Sequence, residues 1–444
     1  MAAAQAALQQ GVKVALFDEQ SNPGGQIYRN VDSSPLAEVS LLGHDYVFGQ
    51  QQVLAFRHSR LDYFAGASVW YLDKSGSLGV IYQGRHQEVK AAQIIIASGA
   101  QERPMPFPGW HKPGVMTAGA GQILLKSAAL VPRQAPVLVG SGPLLLLLAW
   151  QYLRTGVGVQ AIVDTTPKVN RWRALRHLPP ALAASDTLFK GLQLVMAIKR
   201  ARVPWYRQAT DLRAEGGERV EGLKFKSKGT AHQLDTGLVM LHQGVMPALH
   251  MAAAAGCETQ WNGPQQCWQP RLDKWGESSQ PGIFIAGDGA GIGGARAAAL
   301  SGRLAGLRVA HRLGLIEQAQ CDRLARPHFN ARQRHLAIRP FLDAFYRVGM
   351  NALNPVDETL VCRCEEVTAT EIRALVSLGC SGPNQAKAFV RCGMGPCQGR
   401  FCASTVENIF AGQRAVSVGE IGRFSARPPL KPVTLGQLAT SEGE

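Results

Sequence analysis

Short apolar runs that close on a glycine or an acid recur along this chain, each tied to a helical stretch, an order that predicts strand and helix alternating as in an α/β protein. An alanine-rich helix reaches Gly11, an apolar strand follows at Val12–Phe17, and that strand stops on Asp18 and Glu19. Further strands are expected at Gln52–Phe56, Ser68–Leu72 and Gly79–Tyr82, and a buried-looking one at Gln93–Ala97 runs into Ser98-Gly99. The proline-rich crossing Arg103–Gly109 reads as a linker or hinge. Next comes a full unit: strand Pro136–Val139, the loop Gly140-Ser-Gly-Pro-Leu-Leu145, a helix to Arg154, strand Val159–Val163 and Asp164. A basic, Leu-rich helical stretch between Arg171 and Arg202 precedes strand-like segments at Gly222–Phe225 and Gly237–Leu241. Ile283–Ile285 leads into Gly287-Asp288 and a small-residue helix from Gly294 and Ala295 to Leu313. Ile316–Met350 looks helical and amphipathic, and the tail around Arg427–Pro432 reads as extended chain packed over a neighbour.

In a βαβ dinucleotide unit the acid that closes the second strand holds a ribose hydroxyl. Asp18 or Glu19 has that place in the first block, followed by the loop Pro23-Gly24-Gly25-Gln26; Asp164 has it in the second. The glycine loop Gly140-Ser-Gly142 would receive a diphosphate, with Leu145 standing where a third glycine usually lets helix and strand approach. Asp164 favours a free ribose 2′-hydroxyl, as in NAD or ATP; a degenerate unit kept for architecture is the structural alternative. Gly287-Asp288 delivers one carboxylate and a helix amino end to a bound ligand, and an ordinary Asp N-cap is its structural alternative.

With 444 residues the chain has room for two or three domains, and 46% apolar and 18% charged residues are usual for a soluble globular protein. The opening Met1–Leu8 lacks the basic start of a secretory signal, and the conspicuous apolar run Leu144–Trp150 is far short of the ~20 residues of a membrane span. A cytoplasmic protein is therefore expected. The net charge of +15 is spread along the chain with a mild concentration in Lys168–Arg213, which argues against nucleic acid and for a basic face or a docking surface for an acidic partner.

Of nine cysteines, six fall between Cys362 and Cys402. Cys362-x-Cys364, then 32 residues, then Cys397-x4-Cys402 supplies four thiolates in two close pairs, as a 2Fe-2S cluster needs; zinc accepts the same set, so spacing leaves both open. Cys392 stands where it competes as a ligand, and Cys380 reads as a spare. There is no C-x-x-C beside the nucleotide motifs, so a disulfide-reductase mechanism lacks its redox pair. Histidines such as His242 and His250 read as structural, and no catalytic base is nominated.

The segments ASGAQERPMPFPGW, VLVGSGPLLLLLAW and CGMGPCQGRFC, within a pattern that covers nearly the whole chain, resemble the alpha (A or B) subunits of heteromeric FAD-linked dehydrogenases, the group of opine oxidases, D-hydroxyproline dehydrogenases and hydrogen cyanide synthase. The resemblance implies two Rossmann-like dinucleotide-binding domains plus a small helical domain like bacterioferritin-associated ferredoxin with a 2Fe-2S cluster. It divides the chain into a first FAD part (1–110), an inserted nucleotide domain (111–250) for NAD or ATP, a second FAD part (251–318), a helical linker (319–355), the 2Fe-2S domain (356–412) and an extended tail (413–444). It implies FAD contacts at Asp18, Glu19, Gly24, Gly25, Gln26, Ser98, Gly99, Gly287, Asp288, Gly294 and Ala295, a nucleotide at Gly140, Gly142 and Asp164, and cluster ligands Cys362, Cys364, Cys397 and Cys402. Ser98 stands where a threonine is usual. In such proteins a strand and glycine loop precede a helix like Ala2–Gln10. The expectation is a native start roughly 10–15 residues earlier, with a real truncation as the alternative, and weaker FAD retention by the chain as written.

The implied function is electron transfer in a complex that oxidises the C–N bond of an amino or imino acid. Its partners would be a beta subunit like an amino-acid oxidase, together with a small ferredoxin-like protein, with a peripheral link to a membrane electron acceptor. The alternatives are a stand-alone NAD(P)H-dependent reductase and a non-catalytic scaffold subunit.

Overall fold

The computed structural model describes residues 1–440. Helix Ala2–Leu8 lays its alanines against helix Ala295–Arg312, joining the two ends of one unit. A β-carbon at Gly306 would lie 2.4 Å from the Ala3 carbonyl oxygen, so glycine is what lets these backbones meet. The parallel sheet of this unit comes as two pairs, Ala15–Asp18 with Asp62–Ala65 and Ile94–Ile96 with Ile283–Ile285, which are not hydrogen-bonded to one another. One apolar core spans both: Phe17 and Phe64 pack against the buried Ile96, Ile283 and Ile285. An antiparallel meander, Ser68–Leu72, Ser77–Tyr82 and Arg85–Lys90, closes on the same core.

Gln52–Phe56, expected as a strand, lies inside helix His44–Arg57. Buried Tyr46, Gly49, Val53 and Phe56 recur every three or four residues, a helical period that outweighs the short apolar run.

The chain leaves the first unit and returns to it through the antiparallel pair Ala100–Glu102 and Val245–Pro247. Between them stands a five-stranded parallel sheet in the order Trp205–Arg207, Ala161–Asp164, Val137–Ser141, Val239–Gln243, Val115–Thr117. Val137, Leu138 and Val139 are fully buried, as a strand covered on both faces requires. Helix Pro143–Arg154 covers one face; the other packs against Met105, Phe107 and Trp110. The proline-rich crossing is therefore part of the core rather than an exposed linker. Its Arg103 is buried and donates to the carbonyls of Gln265 and Gln266 at 3.0 and 2.9 Å.

One further expectation is corrected. Leu178–Arg200 is a helical stretch long and apolar enough to cross a membrane, although no single run of the sequence looks so. It is bent into three pieces, Leu178–Ala181, Leu182–Ala184 and Ser185–Arg200, and is mostly exposed. Leu194 and Ile198 face the inserted unit's core while Leu182, Phe189 and Leu192 stay in the open.

Helices Gln318–Leu336 and Arg339–Phe345 lead to a small domain of strands Leu360–Cys362 and Val367–Thr368 and helices Ala369–Ser377, Pro383–Val390 and Ala403–Arg414 around its own core. The following chain runs back over the first unit: the Leu430 amide donates to the Trp70 carbonyl at 2.8 Å, and Lys431 pairs with Glu19.

Candidate functional site

Three segments named from sequence meet at the carboxyl ends of the first unit's parallel strands, where α/β folds bind ligands. Asp18 ends its strand half-buried; the Gln20 amide donates to its Oδ1 at 2.9 Å, and burial raises its carboxyl above the ordinary value. Glu19 is turned outward to the tail, accepting from Ser68 at 3.3 Å and pairing with Lys431. Ser98 donates to the Ala248 carbonyl at 2.8 Å, and Ala248 returns its amide to the Gly99 carbonyl at 2.9 Å. The Gly287–Gly289 turn leans on Ser98-Gly99: a β-carbon at Gly289 would lie 3.3 Å from both the Ser98 hydroxyl and the Gly99 carbonyl oxygen. Asp288 Oδ1 accepts the amides of Gly293 and Gly294, both at 2.9 Å, so it does cap the turn before helix Ala295–Arg312. Its Oδ2 has no hydrogen bond among the described residues.

The loop carrying Gly24, Gly25 and Gln26 is held by a residue that sequence reasoning did not single out. Lys126, on the inserted unit's helix Ala118–Ala128, is buried and donates from Nζ to the carbonyls of Gln26 and Ile27 at 3.2 and 2.9 Å and to the Gln122 side chain at 2.9 Å. Burial, with Arg29 nearby, pulls its ammonium down to about 7. The signal was present only as a lysine on the apolar face of a helix. Gly24 needs its glycine, since at φ +128° a β-carbon would lie 2.3 Å from the Tyr28 carbonyl oxygen.

In the inserted unit, Gly140, Gly142 and Asp164 border a cavity of about 260 Å³ closed by Leu145, Trp205, Phe345 and Tyr346. Asp164 is already engaged: Oδ1 accepts the Thr166 amide at 2.9 Å and Oδ2 the Trp205 indole at 3.3 Å. The glycines are accounted for by packing as well, because a β-carbon at Gly140 would lie 1.8 Å from the His242 carbonyl oxygen and one at Gly142 3.1 Å from the His242 ring. Pro143 at the first helical position removes one amide that a phosphate would use. His242 is buried with Nδ1 2.7 Å from Glu102, whose other oxygen accepts the Gly119 amide at 2.9 Å. This pair sits at the two crossings between the units.

The cysteines come together in two groups. The sulfurs of Cys362, Cys392 and Cys402, all buried, lie within 4.8 Å of one another. Hydrogen bonds from the Cys392 and Cys402 thiols, and from the Gly393 and Glu365 amides, draw the Cys362 thiol far down, to about 2. Cys364, exposed, is hydrogen-bonded to the half-buried Cys397. A β-carbon at Gly395 would lie 2.2 Å from the Cys364 β-carbon, so this glycine lets the two loops close. Thus Cys362 and Cys402 come together with Cys392, Cys364 pairs separately with Cys397, and Cys380 donates instead to the Gly382 carbonyl at 3.5 Å.

The cysteine loop docks beside Ser98-Gly99. Gln101 donates to the Arg400 carbonyl at 2.9 Å, Arg400 donates to the Cys397 carbonyl at 3.2 Å, and His250 Nε2 meets the Gln398 carbonyl at 3.0 Å. Burial, aided by the Arg400 charge, lowers His250 to about 4, so it is a neutral donor at pH 7.

Residues 1–314 match the pyridine nucleotide-disulphide oxidoreductase family, and residues 360–412 match the BFD-like [2Fe-2S] binding domain. The A subunit of opine oxidase from Rhizobium meliloti is 42% identical over 99% of this chain and 85% of its own length, and that of Agrobacterium tumefaciens (strain Ach5) is 43% identical over 99% and 89%. The chain belongs to the family of opine oxidase A subunits. The HcnB protein of hydrogen cyanide synthase from Pseudomonas aeruginosa is more distant, 28% identical over 98% of this chain and 94% of its own. The fold is that of L-proline dehydrogenase from P. horikoshii, with a TM-score of 0.67 and 18% identity over 98% of this chain and 76% of that one. Membership makes this an FAD- and [2Fe-2S]-dependent oxidoreductase on two Rossmann-type units. The residues present fit both groups: a buried trio of thiols beside an outer pair suits the cluster, and the strand ends with Asp18, Ser98-Gly99 and Asp288 suit a flavin nucleotide.

Proposed function

We propose that this chain is the electron-handling component of a heteromeric dehydrogenase or oxidase that acts on the C–N bond of an amino or imino acid of the opine, D-hydroxyproline, proline or glycine class. The observation that carries it is the docking of the Cys397–Arg400 loop on Gln101 and His250, two residues beyond Gly99 and Ala248 respectively. When bound, FAD supplies two-electron acceptance and the cluster one-electron transfer. Asp18 and Asp288 would hold ribose and ribityl hydroxyls, Gly24, Gly25, Gln26, Ser98 and Gly99 would line the flavin, and the Gly294-Ala295 helix start would face the diphosphate. Cys362, Cys364, Cys397 and Cys402 would hold the iron pair. The neutral His250 donates to the Gln398 carbonyl and so helps to position the loop.

A partner is expected because the relatives are named as subunits. An amino-acid-oxidase-like beta subunit with its own flavin would carry the substrate site, a small ferredoxin-like protein would complete the complex, and assembly would take place in the cytoplasm. Exposed Leu182, Phe189 and Leu192 on the helical stretch Leu178–Arg200, which also carries Lys190, Lys199 and Arg200, support a peripheral link to a membrane electron acceptor. The adenosine part of NAD or ATP would have to take the cavity beside Gly140, Gly142 and Asp164 without a free oxygen on that acid, which supports the reading of this unit as kept for architecture.

The test is to co-purify the chain with the products of its neighbouring genes, measure flavin, iron and sulfide, and add opines, D-hydroxyproline, proline and glycine anaerobically. Bleaching of the flavin by one of them supports the reading. Bleaching of the isolated chain by NADH, with no response to any amino or imino acid, would instead support the stand-alone reductase.

A further inference from the structure

The cysteine domain brings five thiols, not four, to its metal-binding end. A 2Fe-2S cluster takes two thiolates on each iron. Cys364 and Cys397 form one pair towards the surface. The remaining position is crowded: Cys362, Cys392 and Cys402 all lie within 4.8 Å of one another and all are buried. These three sulfurs come from three separate elements. Cys362 ends a strand, Cys402 opens helix Ala403–Arg414, and Cys392 follows the left-handed Arg391 (φ +58°) that ends helix Pro383–Val390 and turns the chain inward. Cys392 therefore brings its sulfur within 4.8 Å of those of Cys402 and Cys362 from a different backbone. Phe424 backs this turn, with its ring 3.0 Å from where a β-carbon at Gly393 would be.

We propose that Cys392 is a reserve ligand of the inner iron, able to replace Cys402 beside Cys362, whereas the outer pair Cys364 and Cys397 has no substitute. The inference rests on the 2Fe-2S reading of this domain. The exchange balances without any oxidant: the Cys402 thiolate leaves the iron and takes up a proton, and Cys392 gives up its proton and bonds in its place. Iron valence and total charge are unchanged.

The experiment uses the full chain, purified anaerobically and reconstituted with ferrous iron and sulfide, as wild type, Cys392→Ser, Cys402→Ser, Cys397→Ser and the double variant Cys392→Ser/Cys402→Ser. Iron and acid-labile sulfide per chain, and the electron paramagnetic resonance spectrum after dithionite reduction, are the readouts. Wild type and Cys392→Ser are expected to hold about two irons and about two sulfides per chain. Cys402→Ser is expected to keep at least roughly half of that with an altered spectrum, and Cys397→Ser and the double variant to lose nearly all of it. Cys402→Ser as empty as Cys397→Ser overturns the proposal, and so does a Cys392→Ser chain that loses its iron. A Cys402→Ser chain that does not fold counts against it too, because a rescued cluster carries the domain's folding with it. A wild type that holds no iron, or zinc alone, fails the underlying 2Fe-2S reading instead, a result the variants do not enter.

Discussion

The two Rossmann-type units differ in a way that separates a finished fold from a ligand-ready site. The inserted unit has a continuous five-stranded sheet, a glycine loop and a terminal acid in their expected places. Yet that machinery is turned on itself: the Trp205 indole and the Thr166 amide take both oxygens of Asp164, the glycines make room for His242, and Pro143 withholds an amide. The first unit has its sheet in two pairs, but Asp18 and Asp288 each carry an oxygen with no hydrogen bond among the described residues. Affinity follows free donors and acceptors in the site, not completeness of the sheet around it.

The sharpest way to probe this contrast is Gly140→Ala. It combines a left-handed φ of +129° with a β-carbon 1.8 Å from backbone, so a loss of roughly 3 kcal/mol or more is expected in thermal or denaturant unfolding. Gly294→Ala, at φ +88° with open space around it, should cost only about 1 kcal/mol. Equal losses would mean that the inserted loop is not packed as described.

A second probe compares the two acids. Asp288→Asn should release flavin at least about tenfold more readily, near 1.4 kcal/mol, in gel filtration with absorbance at two wavelengths. Asp164→Asn should leave flavin content unchanged. If both lose flavin alike, the assignment of the first unit as the flavin site is wrong.

A third effect, small at each pH step, tests the tie between the units. Lys126 has an ammonium drawn down to about 7 from 10.5, so the native state releases a proton that the unfolded chain keeps. Stability should therefore rise with pH between about 7 and 10.5, by roughly 1 kcal/mol per pH unit near the middle of that window. Lys126→Met should flatten this rise in melting temperature measured from pH 7 to 9; an unchanged slope would show that another group carries it.

Much of this is legible in the sequence, and the limits have physical causes. Ile283–Ile285 and Val137–Ser141 can be read because a buried parallel strand is apolar throughout and its glycine or acid marks the carboxyl end. The helix over Gln52–Phe56 reads as a strand because a four-residue apolar run looks the same in either element until the period of Tyr46, Gly49, Val53 and Phe56 is counted. Six cysteines within 41 residues announce a metal site, but how they group depends on a loop closure that spacing cannot express. Glu102 and His242, 140 positions apart, and the buried Lys126 under Gln26 and Ile27 follow only from the fold, since each is a polar residue satisfied by a partner far away in the chain.

The clasp formed by the tail bears on the order in which the molecule is made. Lys387 holds the Ser425 carbonyl at 2.8 Å, Arg400 holds that of Leu430 at 3.1 Å, and Lys431 reaches Glu19 near the opening strand. These residues leave the ribosome after both of the parts they fasten. The cysteine domain therefore meets the flavin unit first through its own residues, at Gln101, His250 and Trp268, and the tail adds its bonds last.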